Sequence, residues 1–180
     1  MTQTIILPTT QNTLSQFSVG DSVYLSGRLF TARDAAHQLL LSTPKNQLFF
    51  EPGSMGLYLC GPVMKHVEDE WRVVSAGPTT SSRMDLFEAD LLEKFPDISI
   101  VIGKGDIGDQ TKKALKNRGI YLLYTGGTGA LAADQITEVI DVYYLEELGM
   151  TEAIWVFEVE QFGPLIVAFN TQGESVFSSD

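Results

Sequence analysis

Residues 98–105 read Ile-Ser-Ile-Val-Ile-Gly-Lys-Gly and carry a strong secondary-structure signal. The first five are mostly β-branched and almost continuously apolar, which predicts a strand covered on both faces. The glycines on either side of Lys104 favour a tight turn, and residues 110–118 then have the pattern of a helix that ends at Gly119. A buried strand, a turn and a helix in this order are typical of an α/β domain.

The same alternation continues on both sides of this stretch. Strands are predicted at 23–30, 57–60, 71–75, 120–124, 142–145, 153–159 and 165–170, and helices at 34–41, from 82 onward and at 130–136. Strands followed by helices in the middle, with strand pairs at both ends, predict one three-layered α/β domain with a mixed sheet. We expect residues 18–180 to form this single domain and the polar residues 1–17 to form an N-terminal arm or an edge strand.

The chain is acidic, with a formal net charge of −11 from 12 Lys and Arg against 23 Asp and Glu. This balance argues against a nucleic-acid partner, which usually requires a basic face, and equally against an anionic membrane surface. No apolar stretch approaches the roughly 20 residues that span a bilayer, and the N-terminus lacks the pattern of a secretion signal. We therefore expect a soluble, cytoplasmic protein.

Metal-ligating side chains are few. Cys60 is the only cysteine, which excludes a disulfide framework and fits a reducing cytosol. Iron–sulfur clusters usually need several thiolates, so one cysteine also excludes a cluster held by this chain alone. Two histidines, His37 and His66, are too few for a histidine-built metal site without carboxylates. We predict no metal ligands in this chain and a core position for Cys60.

The densest chemical signal lies at residues 76–85, Ala-Gly-Pro-Thr-Thr-Ser-Ser-Arg-Met-Asp. Ser82 and Asp85 have the spacing of a capping box, which predicts that a helix begins there. Arg83 would then lie in the first helical turn, where the helix dipole disfavours a cation. A cation, a row of hydroxyls and free backbone N–H groups at one helix start are typical of an anion site. The alternative is an ordinary capped helix with a solvated arginine.

Two further cations lie at the ends of predicted strands. Arg33 precedes Asp34 and opens a helix, although an Arg–Asp surface pair with His37 on the helix flank would give the same pattern. Lys104 follows a buried strand, at the edge where ligands bind in open α/β sheets. Residues 127–132 match a dinucleotide fingerprint only weakly, because too little chain follows for the rest of such a fold.

Taken together and in this order, the segments resemble the β subunit, or C-terminal domain, of the iron–sulfur-dependent class I fumarases and the related L-tartrate dehydratases. The resemblance is carried by Arg-Asp-Ala-Ala-His (33–37), Ala-Gly-Pro-Thr-Thr-x-x-Arg-Met-Asp (76–85), Ile-Gly-Lys-Gly (102–105), Gly-Gly-x-x-Ala-Leu-Ala (126–132) and Glu-Leu-Gly-Met-x-Glu-Ala-Ile-Trp (147–155). The similarity extends over about residues 18–177, and the N-terminal arm has no clear counterpart in it.

This resemblance implies a swivelling β/β/α domain that is active only with a partner α subunit, in an α2β2 heterotetramer. It implies that an oxygen-sensitive [4Fe-4S] cluster is bound by the α subunit and not by this chain. It also implies that Arg33, Arg83 and Lys104 hold the carboxylates of a C4 dicarboxylate, that Thr80 hydrogen-bonds the substrate, and that Thr79 is the candidate base.

The implied reaction is the reversible hydration of fumarate to L-malate. The alternatives are dehydration of L-tartrate to oxaloacetate, hydration of a related C4–C5 diacid, and a non-catalytic dicarboxylate-binding or assembly module. The alanines of residues 33–37 favour a fumarase, whereas residues 162–167 favour a tartrate dehydratase. Cys60 departs from the pattern, since fumarases often have alanine before this Gly-Pro.

Overall fold

The computed structural model describes residues 3–177. The strands are β1 Gln3–Ile6, β2 Ser22–Thr31, β3 Gly56–Tyr58, β4 Val63–Val67, β5 Glu70–Ser75, β6 Ile100–Gly103, β7 Ile120–Leu123, β8 Ile136–Tyr143 and β9 Ile154–Phe169. The α-helices are α1 Gln11–Leu14, α2 Asp34–Ser42, α3 Asp85–Lys94, α4 Asp109–Leu115, α5 Gly129–Asp134 and α6 Leu145–Leu148, and two short 3₁₀ helices lie at Lys45–Gln47 and Ser81–Met84.

A seven-stranded mixed sheet forms the frame, in the order β1-β2-β3-β6-β7-β9-β8. The strands β1, β2, β3, β6 and β7 are parallel to one another, whereas β9 is antiparallel to β2, β7 and β8. Because β9 also pairs with β2, the sheet closes on itself. The predicted α/β fold with a mixed sheet is confirmed.

Three strand predictions were wrong. Residues 153–159 and 165–170 belong to one strand, β9, whose pairing with β2 shifts register near Gln161 and Gly163, which have φ angles of 50° and 147°. Such an irregularity does not end the strand, which a local pattern of apolar residues cannot show.

The second error is β4, which was not predicted; it forms a separate hairpin with β5. The third is the strand predicted at 142–145, which is the end of the longer strand β8, because α6 begins at Leu145.

Two apolar clusters separate the three layers. In β6, Ile100 and Ile102 point into the closed sheet and join a cluster that includes Trp155 and Phe157 of β9. Val101, between them, points outward and joins the cluster under the helices. That outer cluster contains Leu40 of α2, Leu91 and Leu92 of α3, and Leu115 of α4. A strand buried on both faces is what the continuous apolar run of β6 predicted.

Helices α2 and α3 are joined at one end by a lysine. Lys94 Nζ, at the C-terminal end of α3, donates to the carbonyl oxygens of Leu40, Leu41 and Thr43 at distances of 2.6, 3.1 and 2.6 Å. The last carbonyls of a helix have no partner within the helix, and a cation there also matches the helix dipole. The two helices therefore form a connected pair on the outer face of the sheet.

The N-terminal segment contributes the edge strand β1, which pairs in parallel with β2. The division of the chain at residues 17 and 18 stays a prediction. In the described residues, no helix combines the length and the hydropathy needed to cross a membrane.

Candidate dicarboxylate-binding site

The candidate site lies at the carboxyl edge of the parallel strands. β2, β3 and β6 are neighbours that run in the same direction, so their C-terminal ends meet at one edge of the sheet. Arg33 lies two residues after β2, and Lys104 immediately follows β6. Ligands bind at the carboxyl ends of parallel strands in open α/β sheets and in closed α/β barrels, and both cations were predicted to lie at strand ends.

The hydroxyl-rich segment crosses this edge and is fixed there by its backbone. Thr79 N donates to Leu59 O at 2.7 Å, just beyond the end of β3. Thr80 forms a parallel bridge with Lys104, and Ser81 N donates to Lys104 O at 2.9 Å. The structure therefore brings Thr79, Thr80 and Lys104 together. Thr79 is half-buried, and Thr80 is exposed.

A buried hydroxyl pair supports the turn that carries Lys104. Ser81 Oγ accepts from Lys104 N at 3.0 Å and lies 2.9 Å from Tyr121 Oη. Tyr121 Oη donates its single hydrogen to Gly105 O at 2.9 Å, so the Ser81 hydroxyl donates to Tyr121. Burial raises the pKa of Tyr121 above its ordinary value, so the phenol stays protonated as a donor. Sequence reasoning missed Tyr121, because it lies 40 residues from Ser81 and carries no local signal.

Gly103 has no room for a side chain, and this predicts a stability defect. A Cβ atom at this position would lie 1.9 Å from Ser81 Oγ and 3.1 Å from Tyr121 Oη. We expect Gly103→Ala to displace the serine and to lower the free energy of unfolding by roughly 1–3 kcal/mol, as overpacking does. Thermal unfolding measures this. Gly126→Ala is the control, since its Cβ would meet nothing nearer than Lys104 Cδ at 3.5 Å. Equal melting temperatures for both variants would contradict the close packing of Ser81 and Tyr121 against Gly103.

Arg33 lies against the backbone that follows β3. Its Nε lies 3.5 Å from Glu152 Oε1, and Glu152 Oε2 accepts from Ala35 N at 3.0 Å. A Cβ on Gly61 would lie 2.6 Å from both Arg33 Cδ and Nη1, so only glycine leaves space for the guanidinium. The Arg33 side chain is 25% exposed, which leaves part of the guanidinium accessible at the strand edge.

Arg83 reaches the same edge from the hydroxyl-rich segment. Its Nη2 donates to Asp34 Oδ2 at 2.9 Å, and the side chain is 56% exposed. Asp34 directly follows Arg33, so this bond ties together the segments that carry the two predicted arginines. Surface ion pairs of this kind are weak, which allows the guanidinium to change partner.

The predicted capping box was wrong. Residues 81–84 form a 3₁₀ helix before α3, and neither helix start has a side-chain cap. Asp85 instead accepts from Thr111 N at 3.1 Å and from Thr111 Oγ1 at 2.8 Å. The carboxylate therefore caps the neighbouring helix α4, which no spacing within 76–85 could indicate.

Lys104 differs from the two arginines in its surroundings. Within residues 3–177, its Nζ makes no ion pair or hydrogen bond, while its backbone is fixed on both sides by Ser81. An ammonium held in place by its backbone and not paired by a carboxylate is available to an anionic ligand.

Cys60 is a core residue, as predicted, because it is 1% exposed. Burial raises the pKa of its thiol far above the ordinary value, so the thiolate that binds metals or attacks substrates does not form. Among the residues described, no three His, Cys, Asp or Glu side chains are grouped closely enough to hold a metal ion.

The comparisons with known proteins agree with one another. The profile described as Fumarase C-terminus matches residues 2–180, so it also includes the N-terminal segment, for which we expected no counterpart. A Methanocaldococcus jannaschii protein, provisionally named L(+)-tartrate dehydratase subunit beta, is 42% identical over 171 residues, or 93% of this chain and 87% of that protein.

Two other relatives represent the two activities that the resemblance implied. The L(+)-tartrate dehydratase subunit beta of Escherichia coli K12 is 34% identical over 181 residues, which is 100% of this chain and 89% of that protein. A Geobacillus stearothermophilus protein, provisionally named fumarate hydratase class I, is 36% identical over 175 residues, which is 96% of this chain but 33% of that longer protein. The chain belongs to the Fumarase C-terminus family.

Proposed function

We propose that this chain is the β subunit of a heteromeric iron–sulfur hydro-lyase that interconverts fumarate and L-malate. The observation that carries the proposal is the joint position of three cations and two threonine hydroxyls at one carboxyl edge, on segments tied by Arg83–Asp34 and Ser81–Lys104 contacts. Relatives named as hydro-lyases support the reaction class.

The three cations bind the substrate carboxylates. A C4 dicarboxylate carries two negative charges, and the planar guanidinium of arginine can hold a carboxylate through two parallel hydrogen bonds. Arg83 exchanges Asp34 for a substrate carboxylate, and Arg33 supplies a second guanidinium. Lys104 then stabilises the charge that develops on a carboxylate when the neighbouring carbon loses its proton.

Thr79 is the proposed base at that carbon. A threonine hydroxyl accepts a proton poorly unless nearby cations stabilise its anionic form. Lys104 is the candidate for this role, since its backbone is bridged to that of Thr80, the next residue along the chain. Thr80 donates a hydrogen bond to the substrate and fixes its orientation.

The residues of this chain do not fit an iron–sulfur cluster, because its single cysteine is buried and protonated. The cluster of the proposed enzyme therefore belongs to a partner α subunit. Only the carboxylate binding and the proton transfer are assigned to residues of this chain.

A second candidate is L-tartrate dehydratase. It is favoured by the two relatives of that name, which are 42% and 34% identical and of which the chain covers 87% and 89%, respectively. Both substrates are C4 dicarboxylates, so the same cations would serve either of them.

Co-expression with a cluster-binding α-type subunit under anaerobic conditions tests the proposal. We expect a complex that contains iron and sulfide and hydrates fumarate, measured by the absorbance of fumarate. Faster turnover of L-tartrate to oxaloacetate would favour the second candidate. A cluster-containing complex that acts on neither substrate would overturn the enzyme proposal in favour of a binding or assembly module. Failure to form a complex would overturn the proposal that this chain pairs with an α subunit.

A further inference from the structure

A buried titratable pair lies directly behind Arg33, and the proposed chemistry does not use it. His37, one turn into α2, and Glu88, in the first turn of α3, are 0% and 1% exposed. His37 Nε2 lies 3.8 Å from Glu88 Oε2. Buried polar groups almost always have hydrogen-bond partners, so this pair requires an explanation.

The hydrogen bonds of His37 define which ring nitrogen carries the proton. His37 Nδ1 lies 2.8 Å from the carbonyl oxygen of Arg33. A carbonyl can only accept, so Nδ1 carries the hydrogen and donates it. In the neutral ring Nε2 is then a bare acceptor. Within residues 3–177, His37 Nε2 and both carboxyl oxygens of Glu88 have no hydrogen-bond partner.

The charges of this pair are decided by burial. Burial lowers the pKa of His37 to about 4, against the opposing effects of the Arg33 carbonyl and of Asp34. Burial raises the pKa of Glu88 to about 8, and Asp85 raises it further. Near pH 7 both groups are therefore uncharged. Glu88 is then a carboxylic acid with one O–H donor, which complements the bare acceptor of His37.

The geometry leads to a positioning role. We propose that Glu88 donates a hydrogen bond to His37 Nε2, and that this uncharged pair links α3 to the Arg33 carbonyl and so positions the Arg33 guanidinium at the site. The two atoms approach by about 1 Å to reach a normal hydrogen-bond length. The charged or titratable groups around the pair are Asp34 on α2, Asp85 on α3 and Tyr121 on β7. The role in substrate binding rests on the proposed function, whereas the pair itself does not.

The pair gives the folded chain a defined dependence on pH. The pKa of Glu88 is raised from 4.5 to about 8, so its contribution to stability is full below 4.5 and declines as the pH rises to about 8. The pKa of His37 is lowered from 6.5 to about 4, so its contribution rises between those values and is constant above 6.5. Between pH 6.5 and 8 the contribution of His37 is constant and that of Glu88 still declines. The free energy of unfolding should therefore fall with rising pH, at a slope that corresponds to about one proton bound more by the folded chain.

Glu88→Gln tests the pair without requiring any enzymatic activity. Glutamine keeps a donor for His37 Nε2 and cannot ionise. The melting temperature of the wild-type chain should therefore fall relative to that of Glu88→Gln as the pH rises from 6.5 to 8. In parallel, ¹⁵N spectra should show His37 as the Nδ1–H form from pH 5 to 8. His66, exposed on β4 and the only other histidine, provides the reference signal. Identical pH dependence of unfolding in both chains, or titration of His37 within this range, would overturn the pair.

The positioning role is tested in the complex with the α subunit. Glu88→Gln should leave KM and kcat within about twofold, whereas Glu88→Leu should raise KM about tenfold with a smaller change in kcat, because it leaves His37 Nε2 unpaired. An unchanged KM in Glu88→Leu would overturn the positioning role. A complex without any hydro-lyase activity would contradict the proposed function, while the unfolding and ¹⁵N measurements would still decide on the pair.

Discussion

Replacing Arg83 by lysine should lower kcat/KM of the assembled enzyme by about 10- to 100-fold, equivalent to the roughly 1.5–3 kcal/mol of hydrogen bonds to a charged group. Arg83 Nη2 donates to Asp34 at 2.9 Å, and the 56% exposure of the side chain leaves other guanidinium donors free. Lysine keeps the charge but replaces a planar fork by a point charge. It can therefore neutralise a carboxylate without fixing the plane in which that carboxylate lies.

The measurement is steady-state kinetics of the anaerobic complex, with two controls. Arg72→Lys makes the same chemical change at an exposed position on β5, and Lys113→Ala removes an exposed cation from α4. Both should stay within about twofold of wild type, as surface substitutions usually do. If Arg83→Lys were as mild as these two, Arg83 would be a surface ion-pair partner of Asp34 and not a substrate ligand.

The central strands could be predicted because their signal is local. Residues 98–102 are almost continuously apolar and mostly β-branched, residues 120–124 are Ile, Leu and Tyr only, and β6 and β7 lie at Ile100–Gly103 and Ile120–Leu123. A strand buried on both faces needs such a run wherever it lies in the sheet. β9 could not be predicted as one strand, since its continuity depends on the left-handed backbone at Gln161 and on Gly163, and on pairing with β2, β7 and β8.

The hairpin strand β4 has the opposite character. Of Val63–Val67, only Met64 is buried, Val67 is half-buried and the others are exposed. The polar residues Lys65 and His66 follow each other, so β4 has no regular apolar alternation to recognise, unlike its partner β5. Strand prediction from apolar pattern therefore failed where burial was absent.

The candidate site shows the same division between local and distant information. Arg33, Arg83 and Lys104 were identified because each adjoins a strand end or a turn, which the residues next to it in the sequence indicate. The supports of the site are distant contacts: Tyr121 reaches Ser81 across 40 positions, and Thr111 reaches Asp85 across 26. The proposed substrate ligands could be named from sequence, whereas the groups that hold their turns in place required the structure.

Thr79→Ala should slow the exchange of solvent deuterium into L-malate by about 10²- to 10⁴-fold, the usual contribution of a positioned base. The substitution removes only the hydroxyl and the methyl group of the side chain. It should leave the backbone in place, because Thr79 N donates to Leu59 O at 2.7 Å. Substrate binding should change little, since the carboxylates are held by Arg33, Arg83 and Lys104 in the proposed site. Thr79→Ser should restore exchange, as serine supplies the same hydroxyl.

The matched control is Thr80→Ala, which removes a hydroxyl from the next, exposed residue. Thr80 is proposed to bind and orient substrate, so this variant should raise KM several-fold and keep measurable exchange. Deuterium incorporation is followed by mass spectrometry of malate incubated with the anaerobic complex in D₂O. Exchange at the wild-type rate in Thr79→Ala would assign the base to the partner subunit. The proposed role of this chain would then be confined to holding the dicarboxylate with Arg33, Arg83 and Lys104 and orienting it with Thr80.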